Sequence, residues 1–278
     1  MLKVIRLGLI GDNIAASQAP KLHRLAGHLC GQKVTYDLLI PMKEGLAWDA
    51  LFDRCAANGY VGINITLPYK EVATRLVTID DSLVRAMRAI NTVVFSAEGA
   101  KGFNTDYSGF IRAYKSSRGE KPTGRVCLIG AGGVGRAIGF GLVALGCKQI
   151  QIADKDRAKA EALAAALISA ATDLEINIDS DQEKAAVGCD GLINATPMGM
   201  VGYGGTPLPI SAMQGASWAF DAVYTPLETQ FLHDARAIGL DVISGYELFF
   251  GQGVDAWKIF TGLPLDETAL REALQRPE

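Results

Sequence analysis

The chain has 278 residues, 49% of them hydrophobic, and a formal net charge of −3 at pH 7. That length suits one large domain or two modest ones with a buried core, and the near-balanced charge excludes the electrostatic footprint of a nucleic-acid or anionic-membrane binder. The five cysteines form no CxxC pair, the three histidines are scattered, and no uncharged run approaches the ~18–20 residues of a membrane span, so neither a disulfide framework, a metal site nor a membrane anchor is expected.

Residues 4–10 form a short apolar run carrying Arg6, which reads as a first strand and not as a signal peptide. Reduced thiols in a cytoplasmic protein are the matching expectation. Residues 20–30 have helical periodicity with Pro20 near the start, where a missing N–H costs nothing. Residues 34–40 and 62–66 read as strands, and 46–57 as a helix closed by Asn58-Gly59. Residues 91–96 and 101–104 bracket Glu98-Gly99 as a hairpin. A helix is expected over 106–116, followed by a polar Gly/Pro linker over 117–124. Beyond it, strands at 125–129, 149–154, 174–178, 191–195 and 218–223 alternate with helices at 133–145 and 157–169. Such alternation predicts a mainly parallel, doubly wound α/β sheet. A final helix is expected over 246–262.

The sharpest local signal is Gly130-Ala131-Gly132-Gly133-Val134-Gly135, between the apolar strand ending at Ile129 and a small-residue helix. Gly130 permits a tight turn, Gly132 lets backbone approach a pyrophosphate, and Gly135 lets helix pack on strand. The helix N-terminus then presents free N–H groups to the phosphates. The same fingerprint asks for an acid about 20 residues on, at the end of the next strand. Asp154 stands there, suited to accept hydrogen bonds from the adenosine ribose and to repel a 2′-phosphate. NAD is therefore expected over NADP, with Lys155 and Arg157 as further cofactor contacts close enough to tolerate a phosphate.

Four polar clusters interrupt the apolar pattern of the first hundred residues: Ser17-Gln18, Asn64 to Lys70, Asn91-Thr92 and Asn104-Thr105-Asp106. All lie just after strands or at helix starts, the rim where α/β folds bind ligands. By themselves they support a polar pocket holding one lysine and one aspartate. A cleft-desolvated Lys paired with Asp suits the proton transfer of a carbonyl/alcohol redox step.

The segments Asn64-Ile65-Thr66-Leu67-Pro68-Tyr69-Lys70, Asn91-Thr92, Asn104-Thr105-Asp106, the glycine loop, Asn194-Ala195-Thr196-Pro197-Met198-Gly199-Met200, and Gly245 with Gln252 resemble the shikimate dehydrogenase family, in family order along nearly the whole chain. The resemblance is nearest to its NAD-dependent quinate/shikimate branch. It implies an N-terminal α/β substrate domain over 1–105, with the helices of 246–278 packing back on it. It also implies a connecting helix and linker over 106–124, a Rossmann-like dinucleotide-binding domain over 125–245, and a cleft between the two domains. It implies oxidation of the C3 hydroxyl of shikimate or quinate, with hydride passing to NAD. By position, Lys70 would be the catalytic acid/base and Asp106 its partner and a substrate ligand. Ser17, Thr66, Asn91, Tyr224 and Gln252 would contact substrate. Thr196, Pro197, Met198, Val223 and Gly245 would line the nicotinamide half of the cofactor site. A monomer or homodimer acting on a small hydroxy acid, without nucleic-acid or membrane partner, is the matching expectation.

One position departs from the family pattern. The family's carboxylate site pairs two hydroxyls as Ser-x-Ser or Ser-x-Thr, where this chain has Ser17-Gln18-Ala19. One lost charge-assisted bond costs roughly 1.5–3 kcal/mol. Gln18, Tyr36 or Tyr69 is the expected substitute, or else the substrate is a related, for instance amino-substituted, cyclohexene acid. A non-catalytic dinucleotide sensor is the reading from a different class, against which the intact Lys70 and Asp106 count.

Overall fold

The computed structural model describes residues 4–276; the expected terminal segments also include Met1 to Lys3, Pro277 and Glu278, which lie outside the described residues. The chain divides into two units: one runs to Thr105 and resumes at Gln252, and the other is Asp106–Gly251.

The first unit begins β1 (Ile5–Ile10), α1 (Ala19–Leu29), β2 (Val34–Leu39), α2 (Pro41–Glu44), α3 (Trp48–Ala57) and β3 (Gly62–Ile65). It continues α4 (Ser82–Met87), β4 (Thr92–Ser96) and β5 (Gly99–Phe103). The sheet order is β2-β1-β3-β4-β5. β2, β1 and β3 are parallel, whereas β4 and β5 add antiparallel. β4 and β5 form the hairpin expected from sequence, since two intervening residues cannot make the crossover that a parallel pair needs. The short α4 escapes periodicity analysis; Asp81 caps it, accepting from the N–H groups of Leu83 and Val84 at 2.7 and 3.1 Å.

On α1, His23 is buried and stacks on Tyr36, with ring centroids 5.1 Å apart. Loss of hydration lowers the His23 imidazole to about 3, so it is a neutral core residue at ordinary pH.

The second unit contains α5 (Thr105–Arg118, entered from the first unit), β6 (Arg125–Ile129), α6 (Gly133–Ala144), β7 (Gln149–Ala153), α7 (Arg157–Ala170) and β8 (Glu175–Asp179). Then come α8 (Gln182–Ala186), β9 (Gly191–Asn194), β10 (Trp218–Asp221), α9 (Gln230–Ala237), β11 (Asp241–Ile243) and α10 (Gly245–Thr261), whose C-terminal part belongs to the first unit together with α11 (Glu267–Gln275). Its six strands are all parallel in the order β11-β10-β9-β6-β7-β8. That is the doubly wound arrangement, with its switch point between β6 and β9. Central strands buried on both faces explain the unbroken apolar runs: Val126, Leu128, Ile150, Ile152, Leu192 and Ile193 are fully buried.

The expected linker is shorter than its composition suggests. α5 continues to Arg118, whose buried guanidinium pairs with Asp241 at 2.7 Å and lies over the Trp218 ring. β10 likewise ends at Asp221, two residues before the expected limit, where the chain turns to satisfy that carboxylate. Among the described residues no helix is long and apolar enough to cross a membrane.

Gly191 shows how tightly the second sheet is packed. A Cβ there would fall 2.3 Å from the Trp218 ring, which is fully buried and donates its indole N–H to the Thr123 carbonyl at 3.0 Å. Overpacking of this kind costs ~1–3 kcal/mol. Gly191→Ala is expected to lower the thermal unfolding midpoint measured by circular dichroism; an unchanged midpoint would contradict the packing described.

Candidate functional site

In the first unit, three of the polar clusters meet at the end of β3. Asn64 carries a half-buried side chain there. It accepts from the Tyr36 hydroxyl at 2.9 Å and donates to Thr92 Oγ1 at 3.0 Å and to the Asn91 carbonyl at 3.3 Å. The amide oxygen of Asn91 accepts from Thr92 Oγ1, Thr105 N and Thr105 Oγ1 at 3.0, 2.7 and 3.1 Å. With its oxygen saturated, Asn91 turns its Nδ2 the other way, toward Gln252 Oε1 at 3.4 Å. Asn91 is thus held with its donor directed at Gln252. Lys70 is tied to the same place through its backbone, since its carbonyl accepts from Ile90 N at 2.9 Å. Lys70, Asn91 and Asp106 are all buried, and Lys70 and Asp106 each make further interactions. Thr66 stands beyond β3, its N–H donating to the Ile10 carbonyl at the end of β1. Asp106 follows Thr105 directly in the first turn of α5 and is the first residue of the second unit.

Ser17 precedes α1. Its hydroxyl oxygen accepts from Ala19 N at 3.2 Å, leaving the hydroxyl proton free to be donated outward. Two of the proposed substitutes for the missing second hydroxyl are otherwise engaged. The buried Tyr36 donates to Asn64, and Tyr69 donates to Asp12 Oδ1 at 2.7 Å while stacking on Trp48. Exposed Gln18 makes no capping bond.

The glycine loop sits in the second unit between β6 and α6. Gly130 has φ +101°, and a Cβ on it would press on the Ala195 backbone at 2.9 Å. A Cβ on Gly135 would fall 1.9 Å from the Gly130 carbonyl oxygen, so strand and helix touch through bare backbone. Gly132 and Gly133 are the opposite case: nothing lies within 4 Å of where their Cβ atoms would be. That open cradle, at a helix start whose first N–H groups lack intrahelical acceptors, fits a diphosphate. Asp154 stands just past β7 and already holds the loop: Oδ2 accepts from Ala131 N at 2.7 Å and Oδ1 from Asp156 N at 2.8 Å. Each carboxylate oxygen keeps a further lone pair for a ribose hydroxyl. Exposed Lys155 and Arg157 follow, and Arg157 pairs with Glu161 along α7 at 2.7 Å.

On the other half of the sheet, the residues expected around the nicotinamide are gathered by a network that sequence reading passed over. Asn194, fully buried at the end of β9, accepts from Thr196 N at 3.0 Å and from Thr196 Oγ1 at 2.6 Å. Its Nδ2 donates to the Met198 carbonyl at 3.1 Å and to Asp221 Oδ1 at 2.9 Å. Asp221 also accepts from Val223 N at 3.0 Å and from Thr229 Oγ1 at 2.6 Å. Loss of hydration pushes this carboxyl up to about 6, against the pull of those three donors. Pro197 lies exposed between Thr196 and Met198. Gly245 opens α10 so close beneath the loop that a Cβ would meet the Val223 carbonyl at 2.5 Å. Tyr224 stacks on Phe249, with centroids 5.1 Å apart. The available signal was a carboxylate in the apolar run Trp218-Ala219-Phe220-Asp221-Ala222-Val223, since a buried charge requires partners.

Among the described residues no group of three His, Cys, Asp or Glu side chains could hold a metal ion.

Known proteins match this arrangement along the whole chain. Residues 9–93 match the family described as the shikimate dehydrogenase substrate binding domain. The quinate/shikimate dehydrogenase (NAD(+)) of Corynebacterium efficiens is 38% identical over 273 residues, 96% of each chain. The shikimate dehydrogenase (NADP(+)) of Pseudarthrobacter chlorophenolicus is 34% identical over 270 residues, 95% of this chain and 92% of that one. The solved quinate dehydrogenase from Corynebacterium glutamicum in complex with NAD superimposes with a TM-score of 0.92 at 34% identity, covering 98% of this chain and 99% of the other. With its two α/β units, its Asn64-to-Lys70 and Asn194-to-Met200 segments in place, and relatives of this similarity along its full length, the chain belongs to the shikimate dehydrogenase family.

Proposed function

We propose that this protein is an NAD-dependent quinate/shikimate dehydrogenase, oxidising the C3 hydroxyl of a shikimate- or quinate-like acid to the ketone, reversibly. The observation that carries the reading is the Asn91 amide, locked by Asn64, Thr92 and Thr105 beside the Lys70 segment with its donor directed at Gln252. Relatives at 36–38% identity bearing that activity in their names support it.

In this reading the unit up to Thr105 takes the substrate and Asp106–Gly251 takes the dinucleotide. Ser17 donates its hydroxyl proton to the substrate carboxylate. Thr66, Asn91 and Gln252 bind ring hydroxyls, and Tyr224 closes over them. Lys70 accepts the C3 hydroxyl proton as the alcohol becomes a carbonyl and returns it in the reverse direction. Asp106 keeps that lysine oriented and binds the neighbouring hydroxyl. Gly130 to Val134 hold the diphosphate, and Asp154, with Lys155 and Arg157 at its flank, holds the adenosine ribose. Thr196, Pro197, Met198, Val223 and Gly245 hold the nicotinamide half. When bound, the dinucleotide supplies the hydride acceptor. The protein works in the cytoplasm as a monomer or homodimer, on a small molecule alone. The single hydroxyl at Ser17 favours, as a second reading, a related cyclohexene acid whose carboxylate needs less support.

Lys70→Ala is expected to lower kcat by at least ~100-fold while NAD affinity measured by calorimetry changes little. Near-normal turnover would remove Lys70 from its role. Steady-state rates with both cofactors test the ribose assignment. kcat/KM should favour NAD, and Asp154→Ala should shrink that ratio by about tenfold, the worth of one charge-assisted hydrogen bond. A wild-type preference for NADP would refute it.

A further inference from the structure

We infer that Asp221 is the positioning residue of the nicotinamide subsite and that its buried negative charge favours the oxidised over the reduced dinucleotide. This inference rests on the dinucleotide-binding reading above.

The geometry comes first. Asp154 and the glycine loop fix the adenosine half of a bound dinucleotide to the β6-β7 side of the sheet, so the second mononucleotide falls to the β9-β10 side. Two loops leave that edge, one from Asn194 to Met198 and one from Asp221 to Tyr224. Asp221 joins them. It receives the Asn194 amide that shapes the first loop, and its Oδ1 takes the Val223 N–H that turns the second. Its Oδ2 takes the hydroxyl of Thr229, the N-cap of α9. Asn194, which donates to both the Met198 carbonyl and Asp221, is its partner in tying the two loops together.

The charge is the second observation. All three donors to Asp221 are neutral. The ionisable groups on the surrounding elements lie elsewhere. On α9, His233 is exposed beside Asp234, and Arg236 pairs with Glu228 at 2.6 Å. Glu247 and Tyr246 stand on the first turn of α10, and Tyr224 stacks on Phe249. None of them bonds to the Asp221 carboxylate. A fully buried anion without a counter-cation is costly, and an oxidised nicotinamide ring brings a positive charge to this end of the sheet, whereas the reduced ring is neutral. The carboxyl is held up at about 6, so this charge is present at neutral pH and is lost in mild acid.

An asparagine separates charge from geometry. Its amide oxygen can accept from Asn194 and Val223, and its NH2 can donate to the Thr229 hydroxyl, which is able to accept. The test is calorimetric titration of NAD and NADH into wild-type protein, Asp221→Asn and Asp221→Ala between pH 5 and 8. In the wild type, affinity for NAD should fall relative to NADH by about fivefold as pH drops through 6. Asp221→Asn should show the low-pH ratio at every pH, with NADH affinity retained. Asp221→Ala should lose affinity for both. Thr229→Val removes one donor to the carboxylate, so the inflection should move to higher pH, a displacement that loosened packing alone would not produce. A wild-type ratio independent of pH, or an Asp221→Asn ratio equal to the wild type at pH 8, would overturn the inference. Failure of the wild type to bind either form would instead overturn the dinucleotide reading. If Asp221→Asn does not fold, the wild-type and Thr229→Val profiles decide the question.

Discussion

A side-chain amide withdrawn from water near the end of a parallel strand must find several hydrogen-bond partners, and each unit contains one. Asn64 is the next-to-last residue of β3 in the first unit, and Asn194 ends β9 in the second. Each bonds to backbone outside its own strand, Asn64 to the Asn91 carbonyl and Asn194 to Thr196 N and the Met198 carbonyl. Each passes its second bond to a neighbouring strand or loop: Asn64 to the start of β4, Asn194 to the end of β10. Both strand ends are therefore fixed by side-chain amides as well as by backbone. A half-satisfied network would cost more than an apolar replacement. That explains why the donors and acceptors around Asn91 are so completely used.

Much of this was legible in the sequence. The glycine loop stands out because each glycine answers a different steric demand: Gly130 a positive φ, Gly135 contact with a carbonyl, Gly132 an open cradle. Asp154 was found by its distance from that loop. The alternation of strands and helices predicted the parallel second sheet, because its central strands are buried on both faces. Lys70, Asn91 and Asp106 stand out by motif, and by themselves these clusters indicate only a polar pocket holding one lysine and one aspartate.

What was not legible depends on pairing between distant strands. Nothing in one dimension sets Asn194 beside Asp221, since that requires β9 and β10 to be neighbours in register. The same holds for Tyr36 and Asn64, which meet across β2, β1 and β3. The partners of Tyr36 and Tyr69, offered in sequence as substitutes at the carboxylate site, are likewise hidden in one dimension. Both tyrosines are plausible donors in sequence, and both hydroxyls turn out to be engaged by nearby side chains. Short capped elements such as α4 and α8 were missed because six or five residues hold too little periodicity to detect.

Two of the perturbed buried groups, His23 and Asp221, act on stability in opposite directions. His23 is neutral in the fold and titrates normally when unfolded. Acid therefore favours the unfolded chain below the ordinary histidine range, until the folded group itself titrates at about 3. Asp221 runs the other way. Its folded pKa of about 6 lies above the unfolded value of 3.8, so the fold carries no penalty below pH 3.8 and an increasing one as pH rises toward 6. At neutral pH the difference amounts to about 3 kcal/mol. That is a large fraction of an ordinary domain's stability. An asparagine at 221 would satisfy the same neighbours without that cost. Hydrogen bonding alone therefore does not account for a carboxylate at this position. What distinguishes it from the amide is its charge, placed at the edge of the sheet where the second half of a dinucleotide would lie.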